Sequence, residues 1–280
     1  MEVFMTATQA QINGGKKGRK SGLKYEDDYA GAINGQTFEE IHGGKKVPDI
    51  FGEYTQAKTD VFGPNGVKYS VKNPKHTSQG TQIAFHPTAK YQKFHSVPSD
   101  VSDAMNFWCG ATPELLEELK EKEARRCPEA WANEVSRRGM NINDFDFKAE
   151  IRRNRALFKN IPNHQDLLHY FDKNKVKIAR FVFSTGMNHP DYSHAWAEKI
   201  AWSEKKDSLS GVKIYDIQTI VNKMSSAVVR INDITNDSVI RMGPLTVQQK
   251  GSGGRSGYHA IQFNASRNDL DGFLYRGEFQ

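Results

Sequence analysis

Asp60 and Lys72 are the pair in this chain best placed to do chemistry together. They lie within Lys58-Thr59-Asp60-Val61-Phe62-Gly63-Pro64-Asn65-Gly66-Val67-Lys68-Tyr69-Ser70-Val71-Lys72-Asn73, which reads as two short strands joined by a Gly-Pro-Asn-Gly turn. An Asn-Gly pair between runs rich in Val, Phe and Tyr is a strong hairpin signal, because both residues tolerate the positive φ of tight turns. With Asp60 on the first strand and Lys72 near the end of the second, the hairpin brings a carboxylate and an ammonium to one sheet edge. That pair suits metal-assisted phosphodiester hydrolysis. The carboxylate holds Mg²⁺, and the lysine orients or deprotonates the attacking water and offsets charge on the transition state. The same two residues on an ordinary exposed hairpin would do nothing.

The elements that must position this hairpin can be taken in order. Residues 1–22 hold Gly14, Gly15, Gly18 and Gly22 among Lys16, Lys17, Arg19 and Lys20, and read as a flexible basic arm. Residues 23–110 form the expected catalytic core: two short helical segments separated near Asn34-Gly35, a Gly43-Gly44 loop, and the hairpin over 58–73. Residues 111–205 read as a helical region, opened by the N-cap and proline of Thr112-Pro113-Glu114. From 206 to 280 strand signals return at 212–214, 228–231, 239–242, 245–249 and 259–263. All four segments can belong to one domain.

The hairpin resembles that of the PD-(D/E)xK nuclease superfamily, and in particular of type II restriction endonucleases, where an aspartate strand precedes a strand ending in carboxylate-x-lysine. Asp60 and then Ser70-Val71-Lys72 carry the match, with Ser70 standing where the family has Glu or Asp. A serine hydroxyl is a much weaker Mg²⁺ ligand than a carboxylate. The segment Gly22-Leu23-Lys24-Tyr25-Glu26-Asp27-Asp28-Tyr29-Ala30 is similar to the family's preceding helix, whose glutamate points into the active site, and Glu26 is the expected substitute; Glu39 competes. The resemblance implies an α/β (α+β) fold with a mixed-sheet restriction-endonuclease-like core flanked by helices. Asp60, Lys72, Glu26 and Ser70 become the catalytic set, with Mg²⁺ held by Asp60, Glu26 and the Val71 carbonyl. It further implies a site-specific double-stranded DNA endonuclease of a restriction system, working as a homodimer because symmetric sites are most easily cut by two symmetric active sites. A non-catalytic DNA-binding protein on this fold, or a repair or RNA nuclease, is the alternative.

DNA contacts are expected at Lys75, His76 and Gln79 beside the scissile phosphate, and at Gln249, Arg255 and Gln262, whose side chains can read adenine and guanine edges. Three other motifs are weaker. Pro48-Asp49-Ile50 spells the family's proline-aspartate but reads as a turn. Leu245-Thr246-Val247-Gln248-Gln249-Lys250, preceded by Asp237, lacks a carboxylate beside its lysine. His189, Asp191 and His194 could hold a metal or supply a general base, but Pro190 and Asp191 fit a helix start. The glycine-rich stretch 251–257 has no Walker-type or dinucleotide signature.

Composition is compatible with this. The 280 residues are 37% hydrophobic, enough for a real core, and 39 Lys plus Arg against 33 Asp plus Glu give a net charge of +6, which favours a polyanionic partner. No apolar run approaches a membrane span and Met1–Thr6 lacks a secretory pattern, so a cytoplasmic protein is expected. Cys109 and Cys127 are expected to be reduced thiols.

Overall fold

The computed structural model describes residues 9–74, 80–109, 161, 163–231, 239–249 and 260–279, with side chains from Lys20 onward. The first half contributes α1 (Gln9–Ala32), β1 (Gln36–Thr37), α2 (Phe38–His42), β2 (Lys46–Pro48), β3 (Tyr54–Gln56), β4 (Val61–Phe62), β5 (Lys68–Lys72), β6 (Thr81–Pro87), α3 (Thr88–His95) and α4 (Ser99–Cys109). The second half contributes α5 (His164–Arg180), β7 (Lys199–Trp202), β8 (Lys213–Asp216), α6 (Ile217–Lys223), β9 (Val229–Ile231), β10 (Val239–Met242), β11 (Leu245–Gln249), β12 (Ala260–Ala265) and α7 (Arg267–Asp271). The fold is mixed α/β, as expected.

Two five-stranded sheets organise these elements. One runs β1-β4-β5-β7-β8, the other β6-β12-β11-β10-β9, and β2-β3 is a separate hairpin. In the first sheet only β5 and β7 are parallel; the second is antiparallel throughout. A parallel central pair is covered on both faces, and β7 shows it: Ala201 packs with Tyr25, Tyr29, Val61 and Val71, while Ile200 and Trp202 join the main core. That main core also takes Ile83, Ile240, Val247, Ile261 and Phe263, so both sheets share it.

The expected hairpin forms as β4 and β5. Gly63 N donates to Val67 O (2.8 Å), and Gly66 supplies the positive φ (74°) that a side chain would resist. The separation near Asn34-Gly35 is also observed, with Asn34 left-handed at φ 54° after α1 and α2 beginning in a Thr37–Glu40 capping box.

Three expectations need correction. Residues 9–22 are not an arm: they are the first part of the continuous helix α1. The stretch contains no proline, and its lysines, arginine and glutamines are good helix formers that offset the cost of its glycines. Residues 111–205 are not purely helical either, because β7 lies in the middle of the first sheet, where its short Lys-Ile-Ala-Trp sequence is buried between neighbours. The sheets also cross the expected segment boundaries, since β8 joins the hairpin's sheet and β6 joins the C-terminal strands. The Thr112-Pro113-Glu114 helix start expected to open the helical region lies outside the described residues, as does Cys127.

Gly35 lets α1 turn closely against β4. A Cβ there would meet the Phe62 carbonyl oxygen, a backbone atom that cannot swing aside. Gly35→Ala should therefore destabilise the protein by about 1–3 kcal/mol in urea denaturation, through overpacking. Gly22→Ala in α1, where a Cβ meets nothing within 4 Å, should instead stabilise it by about 0.5–1 kcal/mol. Equal effects at the two positions would contradict this packing.

Candidate active site

The site begins where β4 stops. Val61 and Phe62 pair with Tyr69 and Lys68, and Asp60 N still donates to Tyr69 O (2.8 Å). The chain before Asp60 then leaves β5, because Lys58 N and Thr59 N both donate to the Ala195 carbonyl (2.8 and 3.0 Å). That departure takes away the backbone partner Val71 would have had. The Asp60 side chain replaces it, with Oδ2 accepting from Val71 N at 2.7 Å and from Ser70 Oγ at 3.2 Å. The N–H and C=O of one strand residue point to the same edge, so the Val71 carbonyl also faces this opening. Lys72 Nζ lies 3.9 Å from the same Asp60 oxygen.

Glu26 arrives from α1. Tyr25, Tyr29 and Ala30 bury one face of that helix against Val61, Val71 and Ala201. Asp207 fixes the helix further, accepting from Ser21 Oγ (2.9 Å) and from Asn73 Nδ2 (2.8 Å), just beyond β5. Glu26 and Asp60 then meet on one ammonium, that of Lys45, which contacts Glu26 Oε2 and lies 3.4 Å from Asp60 Oδ1. The side chains of Glu26, Lys45 and Asp60 are each only 15% exposed, so these charges interact in a poorly screened environment.

The electrostatics follow from that enclosure. Burial first, and then the Asp60 charge, push the Glu26 carboxyl up to about 7 despite Lys45 and Lys72. For Lys45 burial opposes the charged form, but Asp60 and Glu26 outweigh it and hold its pKa above the ordinary lysine value. Among the described residues Lys58 has no carboxylate in contact, and the Asp60 charge offsets its burial only in part. Its ammonium donates to Val182 O (2.7 Å) and Ile83 O (3.1 Å), and burial, with the Lys72 charge, pushes its pKa down to about 7.

The structure thus brings Asp60, Ser70, Val71, Lys72 and Glu26 together. Glu39 lies in the first turn of α2, whose capping role falls to Glu40. Lys45 and Lys58 were not expected. The signal for Lys45 was the Gly43-Gly44 pair before it: Gly43 ends α2 left-handed at φ 72° and returns the chain toward the site. Lys58 carried no signal, since its partners are carbonyls distant in sequence.

Of the other expected residues, those that are described lie elsewhere. Lys75, His76, Gln79 and Arg255 lie outside the described residues, as do Asp237 and Lys250. Gln249 and Gln262 belong to the second sheet and to opposite faces of it. Gln262 pairs with Gln248, whereas Gln249 shares the face of Val247 and Phe263. Asp49 sits in a turn and is structural: its buried carboxylate takes Phe51 N (2.8 Å), Glu53 N (3.0 Å) and Lys90 Nζ (2.6 Å). His189 caps a 3-10 turn over Pro190–Ala195, and His194 stacks on His42 (4.6 Å between ring centres).

A hard divalent cation fits the donor set. Among the described residues no cluster of three or more His, Cys, Asp or Glu could hold a metal. Mg²⁺ does not need one, since it is commonly bound by one or two carboxylates with water and substrate phosphate filling the other positions. Asp60, Glu26 and the Val71 carbonyl are such a set, and a cation, the Lys45 ammonium, already lies against both carboxylates.

No family model matches the chain, and no curated protein does. Among solved structures, the chain is similar to restriction endonuclease MspI in complex with its cognate DNA, with a TM-score of 0.39 and 11% identity. The likeness covers 75% of this chain and 64% of that one, and at this TM-score it carries no argument about function. Among the described residues no helix is long and apolar enough to cross a membrane.

The raised Glu26 pKa has a measurable consequence in chelator. Its folded-state value of about 7 exceeds the ordinary 4.5, so its stabilising contribution is complete below about pH 4.5 and is lost as pH rises through about 7, amounting to roughly 3 kcal/mol at most. Glu26→Gln cannot ionise. Its stability relative to wild type should therefore improve between about pH 5 and pH 8; a difference independent of pH would contradict the burial of Glu26 beside Asp60.

Proposed function

We propose that the chain is a Mg²⁺-dependent, site-specific endonuclease of restriction type, cleaving double-stranded DNA in the cytoplasm as a homodimer. One observation carries this: Asp60 takes the Val71 amide at the open end of β4, which sets a carboxylate, a strand carbonyl and the Lys72 ammonium on one edge, with Glu26 facing them across Lys45. The net positive charge supports a polyanionic substrate.

In this mechanism Asp60, Glu26 and the Val71 carbonyl would hold the cation. When bound, Mg²⁺ supplies Lewis-acid polarisation of the scissile phosphate and charge compensation in the transition state. Lys72 orients the attacking water for in-line displacement and offsets the charge growing on the phosphate oxygens. Ser70 donates to Asp60 and so keeps the carboxylate aimed at the edge, a positioning role in place of the family's second acid. Gln262, with Arg255, Lys75, His76 and Gln79, is proposed to contact DNA; Gln249, on the core face with Val247 and Phe263, is not.

Ser70 also gives substance to a second reading, a non-catalytic DNA-binding protein, because the side chain beside Asp60 on β5 is not a carboxylate. Unmethylated phage-length duplex DNA incubated with Mg²⁺ or chelator distinguishes the two. Discrete Mg²⁺-dependent fragments are expected, and Lys72→Ala should slow their formation by about 100-fold or more while leaving a salt-sensitive gel shift in place. Intact DNA shifted equally by wild type and Lys72→Ala would overturn the nuclease reading. Ser70→Glu should preserve or raise cleavage in a nuclease and only weaken binding in a binding protein.

A further inference from the structure

The Lys45 ammonium touches the same two carboxylates that the proposed cation would need. It is not a passing surface contact. The Lys45 side chain is as enclosed as its two partners, and its main chain is fixed where it enters the site: Lys45 O accepts from Ala57 N at 2.9 Å, and the next residue, Lys46, pairs with Gln56. The same β3 end leads through Lys58 and Thr59 to Asp60, so the segment carrying Lys45 and the segment carrying Asp60 are tied together by backbone hydrogen bonds. Lys45 lies against Glu26 and Asp60 together; Lys72 approaches Asp60 alone among these acids, from the other oxygen.

We propose that Lys45 is a built-in competitor for the cation site: its ammonium occupies Glu26 and Asp60 in the cation-free protein and must withdraw from them when a divalent cation binds, so that Lys45 sets the cation affinity. This rests on the function proposed above, and it assigns to that site a positioning residue outside the superfamily-like hairpin. Two carboxylates so close repel each other when neither is compensated. Lys45 relieves that repulsion without metal and keeps the site assembled. The cost falls on the cation, whose apparent affinity is reduced by the fraction of molecules in which the ammonium has not moved. Of the two carboxylates Lys72 approaches Asp60, at 3.9 Å, whereas Lys45 lies against both.

The test uses the full chain without DNA and reads cation binding, by thermal denaturation across Mg²⁺ or Ca²⁺ concentrations and by calorimetric titration. Lys45→Met and Lys45→Gln remove the charge; Lys45→Arg keeps it. The neutral variants should melt lower than wild type in chelator, gain more from the cation, and reach half-saturation at a concentration about tenfold or more lower. Lys45→Arg should behave as wild type. If Lys45→Met cannot fold in chelator, recovery of its fold by added cation supports the proposal equally, and Lys45→Gln supplies the affinity. Unchanged half-saturation in both neutral variants, with binding still abolished by Asp60→Asn, would overturn the competition while leaving the metal site intact. No cation response in wild type or in either neutral variant would overturn the competition together with the metal-dependent reading beneath it.

Discussion

The hydrogen bond from Val71 N to the Asp60 carboxylate is the contact on which the site depends. A strand amide at the end of a short partner needs an acceptor, because a buried unpaired N–H costs about as much as a lost hydrogen bond. Here β4 ends before it can supply one, since Lys58 and Thr59 turn away to the Ala195 carbonyl. The side chain of Asp60 fills the gap at 2.7 Å. This substitution of a carboxylate for a backbone carbonyl exposes the Val71 carbonyl edge and places a negative charge beside Lys72. The pairing geometry of a sheet thereby becomes chemical geometry.

The second requirement is charge balance in an enclosed space. Two carboxylates and two lysines, Glu26 and Asp60 with Lys45 and Lys72, come together where side chains are less than a fifth exposed. In such surroundings each charge is tolerable only because another is near. Burial and the neighbouring Asp60 charge raise the Glu26 carboxyl to about 7. Lys58 behaves differently, solvated by two carbonyls and by no acid, and its role is to pin the departing strand to β6 and to the turn after α5.

Much of this was legible from residue order, and the limits have physical causes. The hairpin could be read because its signals are local: Asn65-Gly66 for the turn and alternating Val, Tyr and Phe for the strands. Glu26 was reached through the resemblance of residues 22–30 to the superfamily's helix, with Glu39 as its competitor, and the packing of Tyr25 and Tyr29 shows what fixes that helix. Strand β7 could not be read, because Ile200, Ala201 and Trp202 are all buried and show no polar alternation, and its pairing with β5 joins residues far apart in the chain. The helix over 9–22 was obscured by its glycines. Lys45 had only the Gly43-Gly44 turn before it as a signal and Lys58 had none, because a lysine's partner is set by the tertiary fold. Gln249 and Gln262 looked equivalent in sequence until register put them on opposite faces of the second sheet.

Crystals of the full chain soaked in Mn²⁺, with diffraction collected to reveal anomalous scattering, test the central claim most directly. The account predicts an anomalous peak within coordination distance of the Asp60 carboxylate and the Val71 carbonyl, with the Lys45 ammonium moved off Glu26 and Asp60. A saturating soak that leaves Lys45 bridging the two carboxylates, with no peak at Asp60, would contradict it.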